Sequence, residues 1–291
     1  MTELAGAPLV TTEVVYGEVG GEQLAATVYA PAGSTALPIV VQVHGGVWTS
    51  GDRHKDEAAN RWLAAHGFVV AAIDYRKPPG GAFPASVDDV GMALRWFRGH
   101  AAQLGGAPDR LAAIGNSTGG HQLLLNILAD ADADPADGAP LVDALVLCWP
   151  ITDPVVRFRW AQSVGRTSLV RRHLEYWGSE ERMAAGNPQS LVDAIGPDSS
   201  AVTLPPVLLI QGSADDNMPA GMTKRFADAY AAAGGDADYH EFAGGSHGFI
   251  TRDLSSADSQ SALALIVAFL ERRLTGVDPP STPLTAIQEG L

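Results

Sequence analysis

Three residues that could form a hydrolytic machine are spread along this chain, each just beyond a run that reads as a buried strand. Ser117 follows the apolar run 110–114 and precedes 120–128, whose apolar spacing and helix formers fit a helix packed on a sheet. Gly115 and Gly119 stand two positions either side of it, small enough for a sharp strand-to-helix turn that thrusts the serine Oγ outward. A serine hydroxyl is a weak nucleophile and needs a base, which in turn needs an orienting acid. Asp215 lies just past the apolar run 206–210, at the carboxyl end of a strand, where parallel sheets place their functional loops. His247 lies in the glycine-rich stretch 244–249, after the alternating segment 237–242. Serine, then acid, then histidine is the chain order of hydrolases built on such an elbow.

The pentapeptide around Ser117 is weak evidence taken alone. With 32 glycines in 291 residues, a serine flanked this way arises by chance roughly 0.2 times in such a chain. Gly244-Gly245-Ser246-His247-Gly248 is such a decoy: it fits the same pattern, but no long apolar helix follows it and no acid and histidine succeed it. Context selects Ser117. The order of all three residues is far more specific than any one of them.

Further blocks carry a resemblance. Val40 to Trp48 reads as a strand followed by His44-Gly45-Gly46-Val47-Trp48. Asp74-Tyr75-Arg76, Phe83-Pro84-Ala85, Asp88-Asp89 and Leu94-Arg95-Trp96 follow in order. In these motifs the chain resembles the α/β-hydrolase superfamily, and within it the carboxylesterases related to hormone-sensitive lipase and to bacterial feruloyl and acetyl esterases. The matching blocks span roughly residues 38–250. The resemblance implies a Ser117–Asp215–His247 triad and an oxyanion hole made by the backbone amides of Gly46, Val47 and Thr118. It also favours Asp215 over the adjacent Asp216, which is left to cap the following helix. Val47 departs from the third glycine of many lipase-like relatives. Its branched side chain is expected to narrow the pocket beside the reacting carbonyl and to favour small or short-acyl esters.

The elements that must position these groups are legible as alternation. Residues 13–19 and 23–29 read as an antiparallel hairpin. From 38 onward strands (38–43, 68–73, 110–114, 143–148, 206–211, 237–242) alternate with helices (57–66, 84–104, 118–129, 219–233, 257–274). That pattern predicts a mainly parallel sheet of about eight strands with helices on both faces. The stretch 151–203 breaks the rhythm and is expected to form a small helical cap inserted in a single hydrolase domain, 1–275, with a proline-rich tail over 276–291. Trp48, Trp149, Phe158, Trp160 and Trp177 are candidates to line an apolar substrate pocket; the competing expectation is that about half of them are plain core.

Composition narrows the remaining classes. A formal net charge of −14 repels nucleic-acid phosphate, and no basic stripe offsets it. The aspartates of 130–137 are expected to form a solvated loop, since the stretch lacks the glycine and terminal glutamate of a calcium-binding loop. A single cysteine, Cys148, excludes an internal disulfide and reads as a small buried apolar residue. His44 is expected to stiffen the oxyanion loop, and His121 to be structural. No metal-ligand spacing is present, so no cofactor is expected. The amino-terminal residues lack a basic segment and apolar core, and no apolar run is long enough to span a membrane, so a cytoplasmic location is expected. The expected partner is a small-molecule ester, with no nucleic acid and no membrane, and a homodimer is left open. Three rivals to ester hydrolysis also stay open, an arylformamidase-type amide hydrolase, a non-catalytic ligand-binding protein and an acyl transferase, beside one variant of it, a lactone or macrolide esterase of specialised metabolism.

Overall fold

The computed structural model describes residues 7–130, 141–196 and 203–277. Alternating β-branched and apolar residues give an antiparallel hairpin of β1 (Leu9–Val19) and β2 (Glu22–Pro31). The short apolar runs that follow give β3 (Leu37–Val43), β4 (Val69–Ile73), β5 (Gly106–Asn116), β6 (Ala144–Cys148), β7 (Val207–Gly212) and β8 (Ala237–Phe242). The eight strands form one sheet in the order β1-β2-β4-β3-β5-β6-β7-β8. β1 and β2 are joined antiparallel, β2 meets β4 antiparallel, and all later pairings are parallel. The architecture is an α/β-hydrolase fold.

Both faces of the sheet are covered, so the central strands are buried throughout. Their side chains divide by the period of two that a pleat imposes. Ile39, Val41 and Val43 of β3 join one apolar cluster, and Val40 joins the other. The first face is packed by α2 (Ala85–His100), α3 (Thr118–Asp130) and α8 (Met222–Ala232), through Phe97, Leu124 and Phe226 among others. The second is packed by α1 (Glu57–Ala65) and α10 (Ala257–Thr275), through Leu63 and Phe269. A 3-10 turn, 101–104, extends α2, and a single turn, α9 (Phe249–Arg252), follows the histidine loop.

Between β6 and β7 the described residues build four helices: α4 (Pro154–Ser163), α5 (Thr167–Trp177), α6 (Glu180–Ala185) and α7 (Pro188–Ile195). Local chemistry starts three of them. The side chains of Asp153, Ser179 and Asn187 accept the amides of Val156, Arg182 and Gln189, meeting donors that a helix start leaves orphaned. The acidic stretch 131–137 and tail residues 278–291 lie outside the described residues.

Candidate active site

Ser117 occupies the turn between β5 and α3 with φ 54°, a conformation that costs a non-glycine residue on the order of 1–2 kcal/mol. The two flanking glycines permit the turn by close approach. A Cβ on Gly115 would stand 2.5 Å from the Gly120 Cα, and one on Gly119 would stand 2.1 Å from the Val43 carbonyl oxygen. The backbone is pinned on both sides. The Ser117 amide donates to the Cys148 carbonyl at 2.9 Å, and its carbonyl accepts the Ile151 amide at 3.2 Å.

His247 reaches over the end of β5 from the loop after β8. Its Nε2 stands 3.1 Å from Ser117 Oγ and its Nδ1 stands 2.8 Å from Asp215 Oδ2. An ionised carboxylate only accepts, so Nδ1 carries the hydrogen and Nε2 offers its lone pair to the serine hydroxyl. Asp215 sits just past β7, and both its oxygens are engaged. Oδ2 also accepts Gln211 Nε2 at 2.9 Å, and Oδ1 accepts the Asn217 amide at 2.8 Å. Gln211 is held in turn by Thr223, whose hydroxyl donates to Oε1 at 2.8 Å. Asp216 points elsewhere: it is exposed and pairs with Arg166 at 2.8 Å, a bond that holds its carboxyl below the usual range. The decoy Ser246 accepts Arg252 Nη1 at 3.2 Å. Gln211 and Asn217 were not singled out from sequence. The only available signal was a polar residue closing the apolar run of β7, and an asparagine two places beyond an acid.

The loop after β3 lies against the same turn. Gly46 donates its amide to Thr118 Oγ1 at 3.1 Å, and the Trp48 amide approaches the same oxygen at 3.4 Å. The Gly46 amide, expected to point into an oxyanion hole, is thus engaged by a side chain. Among the described residues the amides of Val47 and Thr118 have no acceptor. Val47 and Trp48 adopt φ 54° and 60°. His44 is wholly buried, bonds the Gly45 carbonyl at 2.9 Å through Nδ1 and stacks on Tyr75; burial pushes its pKa down to about 4, so it stays neutral. His121 on α3 accepts the Trp48 indole N–H at 3.1 Å and meets the Gly186 carbonyl at 3.0 Å, and burial takes its pKa to about 4 as well. Cys148 is buried, and burial raises its thiol.

The aromatic candidates divide, and three of the five are core. Trp48 and Trp177 are 0% exposed and pack edge-to-face, with Tyr176 stacked on Trp48 at 5.2 Å. They form core that joins the loop after β3 to α5 rather than the wall of an open pocket. Phe158 is likewise buried, against His173. Trp160 is half-buried on α4. Trp149 is the candidate that stands beside His247, with ring centroids 6.0 Å apart. Among the described residues no three His, Cys, Asp or Glu side chains cluster as metal ligands would, and no helix is long and apolar enough to cross a membrane.

Comparison with known proteins agrees with the fold. A family model described as BD-FAE matches residues 27–230. The probable isoprenylcysteine alpha-carbonyl methylesterase ICMEL1 of Oryza sativa subsp. japonica is 28% identical over 249 residues, which is 82% of this chain and 57% of the relative. Carboxylesterase NlhH of Mycobacterium tuberculosis is 42% identical over 118 residues, covering 40% of this chain and 35% of NlhH. The chain therefore spans about half the length, or less, of these curated relatives. Among solved structures, EstE1, a thermostable carboxylesterase from a metagenomic library, aligns with a TM-score of 0.76 at 27% identity, over 92% of this chain and 90% of EstE1.

Proposed function

This chain belongs to the BD-FAE family of α/β-hydrolases, and from that premise we propose that it hydrolyses carboxylic esters with short acyl groups through Ser117, His247 and Asp215. The observation that carries the reading is the continuous line of hydrogen bonds from Asp215 to His247 at 2.8 Å and from His247 to Ser117 at 3.1 Å. Neutral His247 takes the hydroxyl proton as Ser117 Oγ attacks the ester carbonyl. Asp215 keeps the imidazole in the tautomer that can do so and stabilises the imidazolium that forms. Negative charge then develops on the carbonyl oxygen, and the unengaged amides of Val47 and Thr118 receive it. Gly46 shares its amide with the Thr118 hydroxyl, which sets the loop. His247 next protonates the departing alcohol, and a water molecule repeats the sequence on the acyl-enzyme.

Val47 supports the short-acyl part of the reading, because a branched side chain stands half-buried beside those amides. The four-helix insertion, within 151–203, serves as a cap over the serine. A cytoplasmic setting is supported by a single free, buried cysteine, which leaves no internal disulfide to maintain. The test is Ser117→Ala, assayed on p-nitrophenyl acetate alongside fluorophosphonate labelling. The expected result is a folded protein that is neither labelled nor active. Retention of more than a few per cent of wild-type turnover sinks the assignment.

A further inference from the structure

Arg157 on α4 is 0% exposed, an expensive place for a guanidinium unless its N–H groups are met. Its Nε donates to the Asn217 carbonyl at 2.9 Å, Nη2 donates to the Asn217 side-chain oxygen, and Nη1 donates to His173 Nε2 at 3.3 Å. His173, on α5, can accept because its Nδ1 hydrogen is committed to the Leu169 carbonyl at 2.8 Å; burial pushes its pKa down to about 3, so it is neutral. No carboxylate stands within ion-pair distance of Arg157 among the described residues. The negative charge that acts on it is that of Asp215, reached through Asn217. That residue is gripped by Arg157 through its carbonyl and side chain, and it donates its amide to Asp215 Oδ1 at 2.8 Å. The bonds run unbroken from α5 through α4 to the acid of the triad.

We propose that Arg157 is a positioning residue for the triad: through Asn217 it makes docking of the four-helix insertion fix the Asp215 loop. This rests on the triad reading above. The other charged or titratable groups acting on Arg157 are His173 from α5 and Arg166, which pairs with Asp216. Without the grip on Asn217 the Asp215 loop is free to drift, so kcat falls while KM stays near wild type. A residue that only packs the insertion over the site changes KM as well as kcat.

The experiment measures kcat and KM separately for wild type, Arg157→Gln and Arg157→Lys, with fluorophosphonate labelling of Ser117 in parallel. Arg157→Lys keeps the charge but cannot grip both Asn217 atoms and His173, so in both variants kcat is expected to fall at least about tenfold with KM within about threefold of wild type. Wild-type kcat in Arg157→Lys, or a loss carried by KM, overturns the positioning role. If Arg157→Gln does not fold, the Arg157→Lys result decides the positioning role alone. Wild-type protein whose Ser117 resists labelling would instead count against the triad reading.

Discussion

Replacing Asp215 by asparagine tests the acid at its most constrained point. Both carboxylate oxygens face donors: His247 Nδ1 and Gln211 Nε2 converge on Oδ2 at 2.8 and 2.9 Å, and the Asn217 amide meets Oδ1 at 2.8 Å. An asparagine must aim its NH2 at one side. Aimed at Asn217, it sets donor against donor and leaves a buried amide unpaired, at about 1–3 kcal/mol. Aimed at His247, it forces the imidazole hydrogen onto Nε2, where it faces Ser117 Oγ and can no longer take the proton. Gln211 cannot relieve this freely by turning its amide, because Nε2 also donates to the Gly212 carbonyl at 3.2 Å, and a turned Oε1 would set acceptor against acceptor there. The wrong-tautomer outcome lowers kcat by about 10⁴-fold in serine hydrolysis, equivalent to roughly 5 kcal/mol of transition-state stabilisation. Steady-state turnover of p-nitrophenyl acetate, with circular dichroism to check folding, measures it. Asp216→Asn, at an exposed residue paired with Arg166, is the control and is expected to stay within about threefold of wild type, as exposed ion pairs contribute little. A loss of under about tenfold in Asp215→Asn, or the larger loss in Asp216→Asn, would refute the assignment of the acid.

Three further outcomes are expected. Val47→Gly removes a branched side chain from φ 54° and opens space beside the oxyanion amides. Hydrolysis of tert-butyl acetate should rise at least about tenfold, while relief of strain offsets the added chain entropy to within roughly 1 kcal/mol in thermal unfolding; no gain on the tertiary ester refutes the steric account. Thr118→Val keeps the shape of the side chain but strips the acceptor from the Gly46 and Trp48 amides. That should lower kcat by about tenfold or more with KM little changed, and an unaltered kcat shows that the hydroxyl does not set the loop. His44, His121 and His173 are buried and neutral, with pKa values pushed down to about 4, 4 and 3. Below pH 6.5 the unfolded chain binds protons at these positions that the folded chain refuses, so stability is intact above 6.5 and lost as pH falls toward 4. The loss is roughly 2 kcal/mol per histidine at pH 5, and a melting temperature flat between pH 6.5 and 5 would contradict it.

What the sequence made legible follows from which interactions are local. The runs 38–43 and 206–211 differ from β3 and β7 by one residue, because a strand buried on both faces must be apolar throughout. β5 is longer than its apolar run 110–114. It begins at Gly106, where pairing with Leu37 across a register shift recruits Pro108 and Asp109, residues that carry no hydrophobic signal. The aromatic character of the segment around 158–177 was visible, but the directions of its rings were not. Trp48 and Trp177 face each other only because α5 lies across the loop after β3, a contact that no period in the sequence encodes. The same holds for Asp56. It takes hydrogen bonds from Gln42 at 3.0 Å and Asn116 at 2.8 Å beneath the nucleophile turn, joining residues far apart in the chain. Arg157 was invisible for the same reason: an arginine on a short helix reads as solvated until the loop of Asn217 is folded over it.

The elbow and its flanking loops are strained, and the packing explains why they hold. Val47, Trp48, Ser117 and Trp149 all have positive φ, from 42° to 60°, and stand just beyond the ends of β3, β5 and β6. At about 1–2 kcal/mol each, the four conformations together cost on the order of 4–8 kcal/mol. Two of the four are tryptophans, 0% and 3% exposed. An indole that buries 150–250 Å² contributes about 4–6 kcal/mol, so the pair exceeds the strain it accompanies. The large ring and the awkward backbone therefore belong to one arrangement. Release of the turn at 48 or 149 would withdraw an indole from its packing, and the Trp149 amide is further fastened to the Ile210 carbonyl at 2.7 Å. The amides of Val47 and Thr118, which have no acceptor among the described residues, are carried on this packed frame, as the proposed oxyanion hole requires. The rigidity of these turns comes from tertiary burial in the second apolar layer rather than from the loops' own preferences.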